Sequence, residues 1–399
     1  MTQSFTKLAI LGSTGSIGRQ CLAVVDSLPG RFGVVALAAG SNLDELVQQI
    51  EKHRPEVVSV GDAGKADDLA QRLRAKGVPL PAIHHGSEGM LAVGTHSAAN
   101  MVVSAAVGVV GLAATYEAIK LGKTVALSNK EVLVAAGELV MAAVEKSGRE
   151  LLPVDSEHNA VHQCLRGGQR GEVRRLVLTA SGGPFRKTPL AELQSVTPEQ
   201  ALAHPNWRMG NRITIDSATM MNKGFEVIEA RWLFGVKPSQ IDVKIHPQST
   251  IHSMVEFVDG SVLAQLGPTD MRMPIQYALT YPERVASNQL ALDWSKLRRL
   301  DFAKVSTRRF PCLRLAKEAM KKGGALPCAL NAADEIAVAA FLERKLPFLG
   351  IPEVIERVLE RTPKTRFEKM DDVLTADSEA RRMAKEEVDR LAVTAAAAS

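Results

Sequence analysis

The chain has 399 residues, 46% of them hydrophobic and 23% charged, with a formal net charge of +5. These proportions describe an ordinary globular chain long enough for two or three domains, and no apolar run approaches the roughly 20 residues of a membrane span. Lysine and arginine are scattered and aromatics make up only 4%, so a basic, base-stacking surface for nucleic acid is excluded; the mild positive charge reads as a solvated basic surface, with an anionic substrate as the more interesting cause.

The N-terminal MTQSFTKLAILGSTG runs straight into a strand-like segment, with no basic region, long apolar stretch and cleavage site, so a cytoplasmic protein is expected. Cys21, Cys164, Cys312 and Cys328 form no Cys-x-x-Cys pair and are expected as reduced structural thiols. Apolar runs at 8–11, 34–38, 57–60, 101–105 and 125–127 predict strands, and Leu43, Leu46, Val47 and Ile50 keep helical spacing between two of them. Such alternation predicts a doubly wound parallel sheet, a Rossmann-like α/β domain over residues 1–150.

The texture changes near residue 150. RRLVLTASGG and NRITIDSAT read as strands with polar, small-residue ends, and VEFVDGSVLAQL reads as a hairpin turning at Asp259-Gly260. These segments predict a central α/β domain over 151–290. Residues 282–310 lack periodicity, which places a linker at 291–311. LNAADEIAVAAFLERK and GIPEVIERVLERT carry helical stripes, so 312–399 is expected as a helical domain.

LAILGSTGSIGRQCLAVV is strand, tight turn, then helix, with Gly12, Gly15 and Gly18 three apart. Glycines let such a turn approach a pyrophosphate, whose charge meets the unpaired N–H groups of a helix N-terminus. The second strand ends in Gly40, Ser41 and Asn42 rather than in the Asp or Glu that binds a ribose 2′-hydroxyl, which favours NADPH over NADH.

In LLPVDSEHNAVHQ, residues 151–163, an apolar run ends in Asp155, Ser156, Glu157 and His158. Continued as a strand, the run would point Asp155 and Glu157 to one side at its carboxyl end. These acids are general acid/base groups, metal ligands or surface acids. With Glu226 of MMNKGFE they make three hard oxygen donors, suited to Mg²⁺ or Mn²⁺. His158 and His162 are four apart, but Glu157 precedes the first histidine, against the zincin order.

TASGGPF and IDSATMMNKGFE each end a strand candidate with a serine. Ser181, Ser217, Asn222 and Lys223 supply the donors and the positive charge that a phosphate monoester wants, or else ordinary turn chemistry. Between them, His204, Trp207 and Met209 sit in a segment broken by Pro205 and Gly210, a pattern fit for a lid over substrate.

GSTGSIG, LSNKE, PVDSEHNA, SGGPF, HPNWRMG, DSATMMNKGFE, EARWLF and HPQSTIHSMVEF occur in this order. Together they resemble the 1-deoxy-D-xylulose 5-phosphate reductoisomerase family of the non-mevalonate isoprenoid pathway, from about Lys7 through the C-terminal helices. The resemblance implies a homodimer that converts 1-deoxy-D-xylulose 5-phosphate to 2-C-methyl-D-erythritol 4-phosphate by skeletal rearrangement and hydride reduction. It implies NADPH at Thr14, Gly15, Ser16, Ile17, Gly40, Ser41, Asn42, Asn129, Glu131 and Gly210, and Mg²⁺ or Mn²⁺ at Asp155, Glu157 and Glu226. Substrate is implied at Lys130, Ser156, Glu157, Ser181, His204, Trp207, Ser217, Asn222, Lys223 and Glu226. Lys130, Asp155, Glu157, His204 and Glu226 are implied to act in catalysis. Met273 stands where the family pattern leads one to expect Thr.

Two rival readings remain. Ser104, Tyr116 and Lys120 have the spacing of a short-chain dehydrogenase triad, although Leu112, Tyr116 and Ile119 also share a helical face. A non-catalytic NADP-binding sensor would explain the glycine segment but not the acids and phosphate donors.

Overall fold

A computed structural model describes residues 5–106, 108–207, 209–286 and 291–398. Arg208 of the expected lid and the residues at the expected 290 boundary lie outside them. The chain divides into two compact units. The first comprises the described residues of Met1–Val132, Val140–Asn159 and Asp270–Leu290. The second comprises those of Leu133–Leu139, Ala160–Thr269 and Ala291–Ser399. None of the described helices is long and apolar enough to cross a membrane.

The first unit holds a seven-stranded sheet: β1 Thr6–Leu11, β2 Phe32–Ala38, β3 Val57–Val60, β4 Ala82–His85, β5 Met101–Ser104, β6 Thr124–Leu127 and β7 Leu151–Pro153. The order is β4-β3-β2-β1-β5-β6-β7, with every pair parallel. Continuous apolar runs form these strands because both sheet faces are covered. Leu8, Ile10, Leu37, Val58 and Val103 join Leu46 and Ile50 of the helix Leu43–His53 in one core. The helix Arg272–Thr280 adds Ile275, Ala278 and Leu279 to that core. Strand order reverses at β1, so the glycine turn that follows β1 opens at a topological switch point, where α/β sheets bind ligands. The five expected strands are present, and β4 was not anticipated: it has only four residues at the sheet edge, with none of them buried.

The second unit contains β8 Val173–Ala180, β9 Ile241–Ile245, β10 Ile251–Phe257, β11 Val262–Leu266 and β12 Ala303–Lys304 in the order β11-β10-β8-β9-β12. Only β8 and β9 pair in parallel. β10 and β11 form the expected hairpin, with Gly260 at φ +88° in its turn. The C-terminal region is helical as expected: Pro311–Lys322, Leu326–Leu342, Gly350–Arg361 and Met370–Ala398.

Two sequence expectations are corrected. NRITIDSAT is the helix Asn211–Thr219 rather than a strand. Its alternating β-branched residues imitate a strand, but Ile215 and Ala218, three apart, are both buried, and tertiary burial overrides propensity. Met220, at φ +64°, then turns the chain into the helix Met221–Phe234. Glu157, likewise, does not continue β7, which ends at Pro153; it lies in the first turn of the helix Ser156–Leu165.

Candidate active site

In the first unit, Gly12 takes φ +86°, and its N–H and that of Ser13 donate to Ala38 O at 2.9 and 2.8 Å. This ties the turn to the end of β2. A Cβ on Gly18 would lie 2.3 Å from Gly12 O, so glycine there lets the helix Ser16–Ser27 start directly on the turn. Gly15 caps that helix without a side-chain hydrogen bond, and Gly15 and Ser16 are exposed beside half-buried Thr14 and Ile17. A helix start of this kind presents backbone N–H groups to an anion. Gln49 Nε2 donates to Ser13 O at 3.0 Å and fixes the turn from behind, a contact the sequence reading missed because Gln49 sits in an otherwise ordinary amphipathic stripe. Gly40 and Ser41 are exposed at the end of β2, and Asn42 caps the next helix through Glu45 N at 3.2 Å.

Asn129 is buried, and its amide donates to Ala106 O and Gly108 O at 2.5 and 2.8 Å. Glu131 accepts the Gly108 N–H at 3.3 Å. These two side chains shape the loop after β5 from the end of β6. The dehydrogenase-like triad is not assembled. Ser104 is buried against Thr115 Oγ1 at 2.7 Å, while Lys120 is exposed and paired with Glu117.

Asp155 stands at the N-terminus of the helix Ser156–Leu165, its Oδ1 accepting from Glu157 N at 3.2 Å, with His158 N at 3.5 Å. A helix cap, rather than strand alternation, therefore brings Asp155 and Glu157 together. Lys130 pairs with Asp155, and both side chains are about 10% exposed. Ser156 Oγ donates to Glu157 Oε2 at 2.5 Å. His158 is fully buried with Nδ1 3.6 Å from Asp155 Oδ1. Asn159 anchors the turn by donating to Pro153 O at 2.9 Å and Pro274 O at 3.2 Å.

In the second unit, Ser181 follows β8 directly, as expected. Gly182 and Gly183 take φ +82° and +63°. A Cβ on Gly183 would lie 2.8 Å from Ser217 O, so the turn is seated on the backbone of the helix that carries Ser217. The two serine segments, distant in sequence, are thus brought together. Asn222, Lys223 and Glu226 share the first turns of Met221–Phe234. Asn222 Nδ2 donates to Glu226 Oε1 at 2.7 Å, and Lys223 pairs with the other carboxylate oxygen. Glu226 is fully buried and Lys223 nearly so.

His204 Nδ1 lies 3.2 Å from Asn206 N and 2.9 Å from Trp207 N, so it accepts both N–H groups. In the neutral ring the proton is then on Nε2, which donates to Ser181 Oγ at 3.0 Å. Burial holds the His204 pKa below its ordinary value, which keeps the ring neutral. Asn206 Nδ2 donates to Pro247 O at 2.6 Å and Ser249 Oγ at 2.9 Å, anchoring the segment 203–207. The Trp207 and His252 rings are 6.4 Å apart. Half-buried Met209 and exposed Gly210 complete the segment. Asn206 and Ser249 were not singled out from sequence, although Asn206 directly follows His204-Pro205 and Ser249 lies two residues past His246-Pro247.

His162 is pushed down to about 4, by burial first and then by Arg166 and Arg170. The unfolded chain, with its histidine near 6.5, binds more protons than the folded chain between these values. Stability is therefore expected to rise with pH from about 4 to 6.5 and to be fully present above that. Urea midpoints across the window check this; His162→Gln should flatten the curve, and an unchanged slope would remove His162 as its source.

A parallel sheet with a glycine turn at its switch point is the frame of an α/β dinucleotide-dependent oxidoreductase. Family models described as 1-deoxy-D-xylulose 5-phosphate reductoisomerase and its C-terminal domain match residues 8–137 and 151–234, and a DXP reductoisomerase C-terminal domain model matches 266–383. The chain belongs to the 1-deoxy-D-xylulose 5-phosphate reductoisomerase family. The enzyme of that name from Solibacter usitatus is 53% identical over 95% of this chain and 96% of its own. That from Ectopseudomonas mendocina is 52% identical over 95% and 98%. The Zymomonas mobilis enzyme solved in complex with NADPH superposes with a TM-score of 0.90 at 43% identity, covering 96% of this chain and 99% of that one. A DOX-P reductoisomerase solved with NADPH, fosmidomycin and magnesium gives 0.92 at 39% identity over 97% and 99%.

Proposed function

We propose that this chain converts 1-deoxy-D-xylulose 5-phosphate to 2-C-methyl-D-erythritol 4-phosphate, using NADPH and Mg²⁺ or Mn²⁺. The observation that carries the reading, within a chain of this family, is the Ser181-Gly182-Gly183 turn seated on Ser217, with Asn222 and Lys223 opening the helix that follows. Hydroxyls, an amide and one positive charge are the donors a phosphate monoester takes.

The residues fit both added groups. Asp155, Glu157 and Glu226 are oxygen donors of the kind a hard divalent ion takes, and they are assigned as its ligands. Thr14, Gly15, Ser16 and Ile17 form the pyrophosphate turn, Gly40, Ser41 and Asn42 meet the 2′-phosphate, and Asn129, Glu131 and Gly210 complete the cofactor contacts. When bound, the cation supplies Lewis-acid polarisation of neighbouring substrate oxygens, and the nicotinamide supplies hydride.

The chain's own groups do the rest. Ser181 Oγ accepts from His204 Nε2 and from Gly183 N at 3.1 Å, so its own O–H is directed outward as a donor to phosphate. Ser217, Asn222 and Lys223 hold the same group. Lys130 offers its ammonium to oxyanion charge developing on the substrate. Ser156 orients Glu157, and His204, Trp207 and Met209 close over substrate and exclude water. The labour divides as 1–150 for cofactor, 151–290 for chemistry, 291–311 as connection and 312–399 as helical support. The protein acts in the cytoplasm as a homodimer, without nucleic acid or membrane.

The test is to mix protein, NADPH, Mg²⁺ and 1-deoxy-D-xylulose 5-phosphate and follow nicotinamide absorbance. Absorbance should fall only when all four are present; NADPH binding without turnover would leave a sensor instead. NADPH should be preferred over NADH by at least roughly tenfold in kcat/KM, about 1.4 kcal/mol, because no acid at Gly40-Ser41-Asn42 repels a 2′-phosphate. Equal kcat/KM for the two cofactors would contradict that assignment.

A further inference from the structure

The helix Asn211–Thr219 carries Ser217, and the next residue back, Asp216, is only 5% exposed. The helix Leu326–Leu342 packs against it and contributes Asp334, which is 0% exposed. Among the described residues, no N–H or O–H group donates a hydrogen bond to either Asp334 carboxyl oxygen. Arg212 Nη2 lies 3.7 Å from Asp334 Oδ2, and its Nε lies 3.8 Å from Asp216 Oδ2. The same guanidinium donates to Asn331 Oδ1 at 2.8 Å and Glu335 Oε2 at 3.2 Å. Arg381, from Met370–Ala398, is engaged by Glu335 at 2.8 Å and Asp377 at 2.6 Å. Cys312 of Pro311–Lys322 adds a buried thiol, whose ionisation burial opposes. One shared guanidinium thus faces two neighbouring carboxyls in a closed interior. Two full negative charges there repel, and a single proton held between them removes the conflict.

We propose that Asp334 keeps its proton and donates it in a hydrogen bond to Asp216, and that this acid pair is a positioning device that fixes the helix Asn211–Thr219, and with it Ser217, for the substrate's phosphate. The positioning role rests on the assignment of Ser217 to the phosphate. Burial first, and then the Asp216 charge, hold the Asp334 carboxyl well above the usual carboxylate range. Asp334→Asn retains a donor, Nδ2, toward Asp216 but cannot ionise. Asp334→Ala removes the donor.

The sign of the pH effect follows. Above the ordinary carboxylate pKa of 3.8 the unfolded chain releases a proton that the folded chain keeps, so Asp334 makes stability fall as pH rises toward its raised folded pKa. Ionisation above that point also loosens the helix Asn211–Thr219. In the wild type, KM for 1-deoxy-D-xylulose 5-phosphate is expected to rise about fivefold or more as pH is raised through the folded pKa of Asp334, with kcat changing less; in D334N the rise should stay within about twofold. D334A should have a raised KM throughout, rescued by Asn at that position. Infrared spectra of the wild type should show a protonated-carboxyl C=O stretch at neutral pH that D334N lacks. Superimposable KM and stability profiles for wild type and D334N, with the infrared band unchanged, would overturn the proposal. Ser217→Ala separates the two readings. If it leaves KM unchanged, Ser217 is not a phosphate ligand and the positioning role falls, whereas the band still reports the shared proton. If it raises KM while D334N matches the wild type throughout, the acid pair fails and the phosphate assignment stands.

Discussion

Glu226→Gln is expected to lower turnover by roughly a hundredfold or more, the scale of losing an electrostatic catalyst, and to raise the Mg²⁺ concentration needed for half-maximal rate. The substitution keeps the side chain's shape. It removes the one negative charge that Asn222 and Lys223 hold in place at the start of Met221–Phe234. Because Glu226 is fully buried, a neutral amide there weakens the ion pair with Lys223 as well as the attraction for a cation. NADPH affinity should stay within about twofold, since the proposed cofactor contacts come mainly from the other unit. Metal-dependent rates, NADPH titration and a folding check on the same variant settle the matter. Normal turnover at low Mg²⁺ removes Glu226 from the metal site, and lost NADPH binding with disturbed folding makes it structural.

Sequence and structure agree where short-range periodicity decides the outcome. β1, β2 and the glycine turn were legible because a continuous apolar run followed by Gly12, Gly15 and Gly18 has few physical alternatives. The Asp259-Gly260 hairpin and the C-terminal helical stripes were legible for the same reason. NRITIDSAT was not, because its alternation of Ile and Thr fits a strand as well as a buried helix, and only the surrounding unit chooses. The acids stood out in the sequence, but the elements that hold them did not. Asp155 aligns with Glu157 through a helix cap, and Glu226 is set by Asn222 and Lys223 at helical spacing. The Asp216–Asp334 pair was invisible in the sequence, since nothing local marks two acids that meet only when two helices pack.

Gly12→Ala should abolish useful NADPH binding, raising its Kd by roughly a hundredfold or more, and should destabilise the first unit by about 2 kcal/mol or more. Two separable costs combine at this residue. Its φ of +86° is one that an L side chain rarely adopts, and a Cβ would lie 2.6 Å from Ala105 O, 2.8 Å from Ala105 C and 2.9 Å from Ala106 N. Backbone, unlike the tip of a flexible side chain, cannot move aside locally. Relief requires shifting either the end of β5 or the turn itself, and a shifted turn loses the Gly12 and Ser13 hydrogen bonds to Ala38 O. The N–H groups proposed for the pyrophosphate move with it. Gly30 supplies the control, because it also has positive φ, +77°, but a Cβ there meets nothing within 4 Å. Gly30→Ala should therefore cost only the conformational part, about 1 kcal/mol, with NADPH affinity unchanged. Cofactor titration and thermal unfolding of the two variants separate strain from collision. If Gly12→Ala binds NADPH as Gly30→Ala does, the turn after β1 is not the pyrophosphate site.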